Sequence, residues 1–421
     1  MGREGYKMTE IGEIPQEWEL KCLESCVEKI VGGGTPSREN AQYYEGDIPW
    51  ATVKDLDSKI FKSDTIEHIT EDAIKNSATN LINSGNVIIA TRMGLGRGFI
   101  NTVPMAINQD LKAIFPKENI DAKYLLFWYL NQSKTIESMG KGSTVKGIRL
   151  EDLKALQVLV PPFVEQQKIA DILLTADKQI EQTDTLIEKT KELKKGLMQR
   201  LLTKGIGHTE FKDTEIGRIP KDWEVITLGT IGSTYNGLSG KAKEDFGKGK
   251  PFITYRNVFE NSKIDINGFE YVSIKEGEKQ NKVEYGDILF TASSETPEEV
   301  GMSSVMLDRV EELYLNSFCF GYRLFNFNVL IPEFAQYLFR GARVRKIMSV
   351  LGQGSTRYNI SKNEVMKIKI PIPTIEEQIK IAKILSAVDE RINQTCAIKQ
   401  KLSETKKELM QKLLTGAIRV K

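Results

Sequence analysis

The chain contains itself twice. Residues 10–20 read EIGEIPQEWEL and residues 215–225 read EIGRIPKDWEV, an offset of 205. Near the end of each half the match returns at an offset of 212. There GKGST at 140–144 becomes GQGST at 352–356, and residues 163–204 align without gaps to 375–416 with 21 of 42 positions identical. Between these islands only fragments survive, such as IIATR at 88–92 beside ILFTA at 288–292, each following a turn-like Gly-Asn or Gly-Asp. Even drift after a duplication would leave no islands. A constant start, a divergent middle and a constant end, repeated, describe two different readouts on one frame.

The constant end predicts a long helix in each copy. Ile169, Leu173, Ala176, Ile180, Thr183 and Ile187 alternate steps of four and three, and Ile381, Leu385, Val388, Ile392 and Thr395 do the same. The second series resumes at Ile398, Leu402, Thr405 and Leu409, an extra step of three that resembles a stammer in a heptad pattern. Outward positions are Glu, Lys and Gln, as an exposed face requires. Pro161-Pro162 stops the strand before the first helix, Thr374-Ile-Glu-Glu377 reads as a capping box before the second, and Gly205 and Gly416 mark the ends. Each helix is about 39 residues, roughly 58 Å at 1.5 Å per residue. So narrow a seam on so long a helix needs a partner, and the other copy is the expected one, antiparallel across a pseudo-twofold axis.

The middles read as mixed α and β structure. Strands are predicted at 49–53, 87–91, 111–115 and 156–160, with a helix over 122–138 whose aromatics are core candidates. The second half repeats the order, with strands at 252–255, 288–291 and 322–325 and a helix over 332–349. The expected segmentation is 1–162, a helix at 163–204, then 205–374, and a second helix at 375–421.

Chemistry is scarce. Val160-Pro-Pro-Phe163 lacks the leading Asn or Asp of an amino-methyltransferase motif and sits where strand meets helix. Gly94-Leu-Gly96-Arg-Gly98 has neither dinucleotide-binding spacing nor an acidic partner, and Lys241, Lys248 and Lys250 lie among glycines without P-loop spacing. Two histidines leave little for acid–base or metal chemistry, and four scattered cysteines make no disulfide framework or zinc site. No apolar run approaches the roughly 20 residues of a membrane span, and the polar N-terminus has no signal-peptide core, so a cytoplasmic protein is expected.

Net charge is only +2, so any nucleic-acid footprint must come from local clustering. Arg343, Arg345 and Arg357 lie in a stretch without acidic residues around GQGST; Lys141 lies within the GKGST copy, and Lys146 and Arg149 follow it. Such Gly/Ser/Thr loops let backbone N–H groups approach phosphates, which positions a protein without reading sequence. Base readers belong in the divergent parts, where Lys54, Arg92, Arg97, Lys241, Lys243, Tyr255 and Arg256 are the candidates. An arginine can grip guanine O6 and N7 with about 1–3 kcal/mol of discrimination.

The duplicated layout, the paired EIGEIPQEWEL and EIGRIPKDWEV starts, the GKGST/GQGST loops and the EQQKIADIL…LKKGLMQRLLT and EEQIKIAKIL…TKKELMQKLLT helices resemble Type I restriction–modification specificity subunits over essentially the whole chain. The resemblance implies an α+β architecture of two mixed α/β target recognition domains joined by two long antiparallel coiled-coil helices. It implies a non-catalytic subunit in which each domain reads one half of a bipartite, asymmetric double-stranded DNA site and the helices set the gap. Two modification (methyltransferase) subunits would dock on the constant regions, and ATP-dependent restriction subunits would join them. No cofactor is expected in this chain: S-adenosylmethionine for adenine N6 methylation, ATP and magnesium would belong to the partners.

Overall fold

A computed structural model describes residues 3–140 and 146–420. The chain divides into two compact units, residues 1–184 with 397–421, and residues 185–396. Each unit therefore holds the front of one long helix and the back of the other.

In the first unit a five-stranded sheet runs, in spatial order, Val27–Gly32, Leu111–Pro116, Val87–Ala90, Gly98–Asn101 and Phe61–Lys62. A four-stranded sheet follows the order Glu67–Ile69, Ile48–Ala51, Met105–Ile107 and Asn80–Ile82. The second unit orders Gly232–Asn236, Cys319–Leu324, Ile288–Thr291 and Ser303–Val305 in one sheet, and Phe269–Val272, Phe246–Ile253 and Tyr314–Leu315 in another. Strand for strand this is the same topology, without the outer strands at 61–62 and 80–82. Val87–Ala90 and Ile288–Thr291 hold the same place in the sheet order and begin 201 positions apart, one more than the offset of the IIATR and ILFTA fragments.

Every residue of Val87–Ala90 and of Ile288–Thr291 is buried, which explains their unbroken apolar runs. One face of each packs on helices. The predicted 122–138 helix is two helices, Ala122–Asn131 and Ser133–Met139, and all of 124–129 is buried in the first. The predicted 332–349 helix is likewise Pro332–Leu338 and Ala342–Leu351, broken near Gly341. A Cβ at Gly341 would stand 2.8 Å from Leu202 Cδ1, so the break lets the chain pass close to the first long helix. The predicted strand at 252–255 stops at Ile253, and Thr254 caps a helix that begins at Tyr255.

The long helices are Phe163–Lys204 and Ile375–Leu413, of 42 and 39 residues. Within the first unit Asp177 pairs with Lys406 and Asp184 with Lys399; seven residues forward on one helix is seven back on the other, so they run antiparallel. Within the second unit Lys194 pairs with Asp389. Asp177 and Asp389 are 212 positions apart, as are Lys194 and Lys406, so one ion pair occurs once in each copy. Each lysine also lies over an aromatic ring of its own unit, Lys406 at 5.5 Å from Phe127 and Lys194 at 5.6 Å from Tyr337.

The expected stammer is absent. Val388, Ile392, Thr395, Lys399, Leu402, Lys406, Leu409 and Leu413 form the covered line, while Ile398 is 50% exposed and Thr405 is exposed. The heptad continues unbroken through two lysines whose charge is met by aspartates on the facing helix.

Candidate nucleic-acid interface

The same short turn follows the central strand of the second sheet in each unit. In the first, Thr52 Oγ1 accepts from Lys54 N at 3.2 Å, and buried Asp55 accepts from Thr52 N at 2.8 Å and from Ile66 N at 2.7 Å. In the second, Thr254 Oγ1 accepts from Asn257 N at 3.2 Å, and buried Asn257 bonds Asp265 N at 3.0 Å and its carbonyl at 2.8 Å. Ser/Thr caps followed by a buried Asx fix the turn rigidly. The residue they hold outward is Lys54 in one copy and Arg256 in the other, with side chains 69% and 83% exposed. Two of the predicted base readers are thus the same position on the repeated frame.

Beside this turn lies the loop after Val87–Ala90. Arg92 bridges Gly147, Met93 N donates to Lys146 O at 3.3 Å, and Ile148 N donates to Thr91 O at 3.0 Å. Those backbone bonds bring Arg92, Lys146 and Arg149 into one exposed neighbourhood. Met93 takes φ 48°, a left-handed conformation uncommon outside glycine, and its side chain is 54% exposed. Gly94 (φ +113°) passes within reach of Leu56, so the loop carrying Arg97 abuts the Lys54 turn. Lys141 lies outside the described residues.

The second unit builds the matching corner. Ile360 N donates to Ala292 O at 3.0 Å, and Ser293 and Ser294 pair with Asn359 and Tyr358. Gln353 and Asn359 exchange two backbone hydrogen bonds, closing a hairpin around the GQGST segment and exposing Arg357. Tyr255 is half-buried, stacks on Phe259 at 5.9 Å, and donates to Ser293 O at 2.8 Å, so it braces the corner. Lys243 is exposed on a single 3-10 turn.

Three expected contacts are turned inward instead. The Lys241 ammonium donates to Ser273 O and to Glu278, both at 2.6 Å, and its side chain is almost wholly covered. That bond, with the Lys275 N–H and Gln280, pulls the Glu278 carboxyl down to about 2. Arg345 donates to the carbonyls of Gly301, Val300 and Glu298 at 2.6 to 2.7 Å and so holds the loop after Ile288–Thr291. Arg343 bonds Arg218 O at 3.2 Å, and its Nη1 is buried without a partner among the described residues. Burial lowers the affinity of both arginines for their protons. The stretch free of acidic residues is basic because backbone carbonyls, not carboxylates, take up its guanidinium groups. Arg340 does the same with four carbonyls at 2.6 to 3.0 Å, and burial pulls it down to about 10.

Sequence reasoning passed over Arg38. Its guanidinium lies 4.2 Å from the Tyr44 ring centroid and 5.3 Å from that of Trp50, and it meets Glu67 at 2.6 Å, the carboxylate that also faces Lys54 at 3.8 Å. The signal available was an arginine in a Gly/Pro/Ser loop of the divergent part. Among the described residues there is no group of three or more His, Cys, Asp or Glu that could hold a metal ion, and no helix is long and apolar enough to cross a membrane.

Comparison with known proteins bears on this geometry. The family model of the Type I restriction modification DNA specificity domain matches residues 15–192 and again residues 220–404. The type I restriction enzyme MjaVIII specificity subunit of Methanocaldococcus jannaschii is 27% identical over 439 residues, spanning 99% of this chain and 97% of that protein. Two solved structures share the fold at 17% identity. The Type I restriction-modification system S subunit from M. genitalium gives a TM-score of 0.55, with 97% of this chain and 98% of that one covered. A chain from a study of complex assembly and conformational transition in the type I R-M system gives 0.62, with 96% and 99% covered. One domain model matching once in each copy of the repeat accounts for most of the chain, which therefore belongs to the Type I restriction–modification specificity subunits and carries two DNA specificity domains.

Proposed function

We propose that each domain reads one half of a bipartite, asymmetric double-stranded DNA site, and that the chain itself catalyses nothing. The observation that carries the reading is the Lys54/Arg256 pair: one rigid, Thr-capped turn presents a different exposed cation in each copy. A shared frame with unlike readers suits an asymmetric target. The long helices would set the gap between half-sites and, with the constant starts, dock two modification subunits, to which restriction subunits add. S-adenosylmethionine, ATP and magnesium would be held by those partners. Lys54, Arg92, Arg97, Lys243 and Arg256 are the proposed base readers. Lys141, Lys146, Arg149 and Arg357 are the proposed phosphate contacts.

The test is a methylome. The chain is co-expressed with the modification subunit of its own genome in a host without DNA methylation, and N6-methyladenine is mapped by single-molecule sequencing. A gapped, asymmetric motif that vanishes when this gene is omitted is the expected result. Co-purifying, soluble proteins without any methylated motif would refute it.

A further inference from the structure

The loops that leave the equivalent strands Val87–Ala90 and Ile288–Thr291 carry opposite charge. Residues 91–97 hold Arg92 and Arg97 and no acid; residues 292–300 hold Glu295, Glu298 and Glu299 and no base. In the second unit this loop walls a cavity of about 340 Å³ whose other sides include Tyr255, Phe259, Phe318 and Arg357. Glu295 and Glu299 both line it. Neither carboxylate forms a salt bridge among the described residues, even though Arg357 lines the same cavity. The Tyr255 ring is pinned by its bond to Ser293 O, and Phe318 stands 57% exposed at the rim. The cavity is therefore a preformed, aromatic-walled recess with two free acceptors and one free donor group.

A bare carboxylate beside DNA is repelled by the phosphates and so disfavours binding unless a donor meets it. The base edges of the major groove offer such donors in only two places, cytosine N4 and adenine N6. Tyr255, Phe259 and Phe318 give the recess an apolar side against which a base edge can lie. We propose, resting on the functional reading above, that this cavity reads an exocyclic amino group in the second half-site. Glu295 and Glu299 are the acceptors for the one N–H that Watson–Crick pairing leaves free, and the arginines of the matching loop in the first domain read guanine. The frame is then one reader position whose sign was reversed between copies.

Once the methylome has defined the motif, the complex of full chain and modification subunits is titrated with duplexes. In each duplex a single cytosine or adenine of the second half-site is replaced by the analogue lacking its amino group, 2-pyrimidinone or unsubstituted purine nucleoside. Wild type is expected to lose about tenfold in affinity at one position, and the position's base distinguishes cytosine from adenine. E295A/E299A is expected to bind the intact and amino-less duplexes alike, with discrimination in the first half-site unchanged, which also reports that the variant is folded. If no amino deletion in the second half-site weakens wild type by more than twofold, or if the double variant keeps the full tenfold difference, the proposal is wrong. Failure of wild type to prefer its own motif over random duplex would instead defeat the functional reading itself.

Discussion

Trp18 Nε1 donates a 3.0 Å hydrogen bond to Glu165 Oε2, and in the other copy Trp223 Nε1 donates one of 2.9 Å to Glu377 Oε2. Each glutamate stands in the first turn of a long helix, and each tryptophan belongs to a constant start. The third member of the clamp differs. Arg419, three residues past Gly416, meets both oxygens of Glu165 at 2.7 and 2.8 Å; His208, three residues past Gly205, meets both oxygens of Glu377 at 3.0 Å. Glu377 was expected to reach back in a capping box, and Glu377 N does approach Thr374 Oγ1 at 3.4 Å. Its carboxylate, however, is directed to Trp223, His208 and the Ile206 N–H.

This arrangement sets a pH dependence. Burial opposes ionisation of Glu165, but its bonds to Arg419 and Trp18 outweigh burial and hold its carboxyl below the usual range. A carboxyl with a lowered folded pKa contributes stability that is present above its unfolded value, about 4.5, and lost as pH falls through the folded value. Glu165→Gln is therefore expected to lower stability at pH 7 by about 1–3 kcal/mol and to flatten the loss between pH 5 and 3. Urea midpoints across that range check it. An E165Q profile parallel to wild type throughout would show that the clamp does not titrate with folding.

How much of this was legible follows burial. Val87–Ala90 and Ile288–Thr291 were readable because their near-continuous apolar runs are covered on both faces, and Leu111–Pro116 because only Lys112 interrupts its apolar residues. Met105–Ile107 and Tyr314–Leu315 were not, since two or three residues carry no periodicity, and they are strands because Ala106 and Tyr314 find partners in Trp50 and Phe252. Lys241 read as a base contact because nothing local places Glu278 against it. The seam was misread at 398 and 405 for a related reason: an apolar residue was sought where Lys399 and Lys406 stand opposite aspartates on a distant helix. The reader position was half legible, as Lys54 and Arg256 were both named, but their equivalence needed the strand register.

The seam ion pair gives a prediction with two opposite signs. Burial raises the Asp177 pKa despite the bond to Lys406, and its Oδ2 has no hydrogen-bond partner among the described residues, so the charged aspartate opposes folding at neutral pH. Removing only one partner strands the other charge, and Lys406→Leu is expected to destabilise by about 3–5 kcal/mol. Replacing both with leucine completes an apolar heptad and is expected to be neutral or to stabilise by about 1–4 kcal/mol. Thermal denaturation of the two variants decides it, and a double variant as weak as the single one would show that the pair itself holds the seam.

Gln166 and Gln378 make a matched pair that reads as surface in the sequence and is fully buried. Gln166 accepts from Asp121 N at 2.9 Å and donates to the carbonyls of Pro161 and Asn119; Gln378 accepts from Ile331 N at 3.0 Å and donates to those of Pro373 and Val329. Each amide ties the entry of a long helix to the chain just before the domain's aromatic helix. Gln378→Ala leaves three backbone groups without partners and is expected to cost about 2–4 kcal/mol. Exposed Lys380→Ala should fall within about 0.5 kcal/mol of wild type. Denaturant midpoints of the two variants measure the contrast, and equal effects would mean that solvent replaces the lost bonds.

The arginines of the second unit should separate cleanly into two kinds. Arg345 is engaged by three carbonyls of residues 298–301, so Arg345→Ala should lower thermal stability by about 1–3 kcal/mol and leave the salt dependence of DNA affinity unchanged. Arg256 is exposed, and its one ion pair, with Glu260 at 2.8 Å on the same helix, contributes little to folding. Arg256→Ala should leave the melting temperature unaltered while relaxing one position of the second half-site by about 1–3 kcal/mol, and Lys54→Ala should do the same in the first. Arg357→Ala, as a phosphate contact, should weaken binding to every sequence and reduce the slope of log affinity against log salt by about one. Motif mapping, melting curves and salt titrations on the same variants test the partition together. Relaxed specificity in R345A, or an unaltered motif in both R256A and K54A, would place the readers elsewhere on the frame.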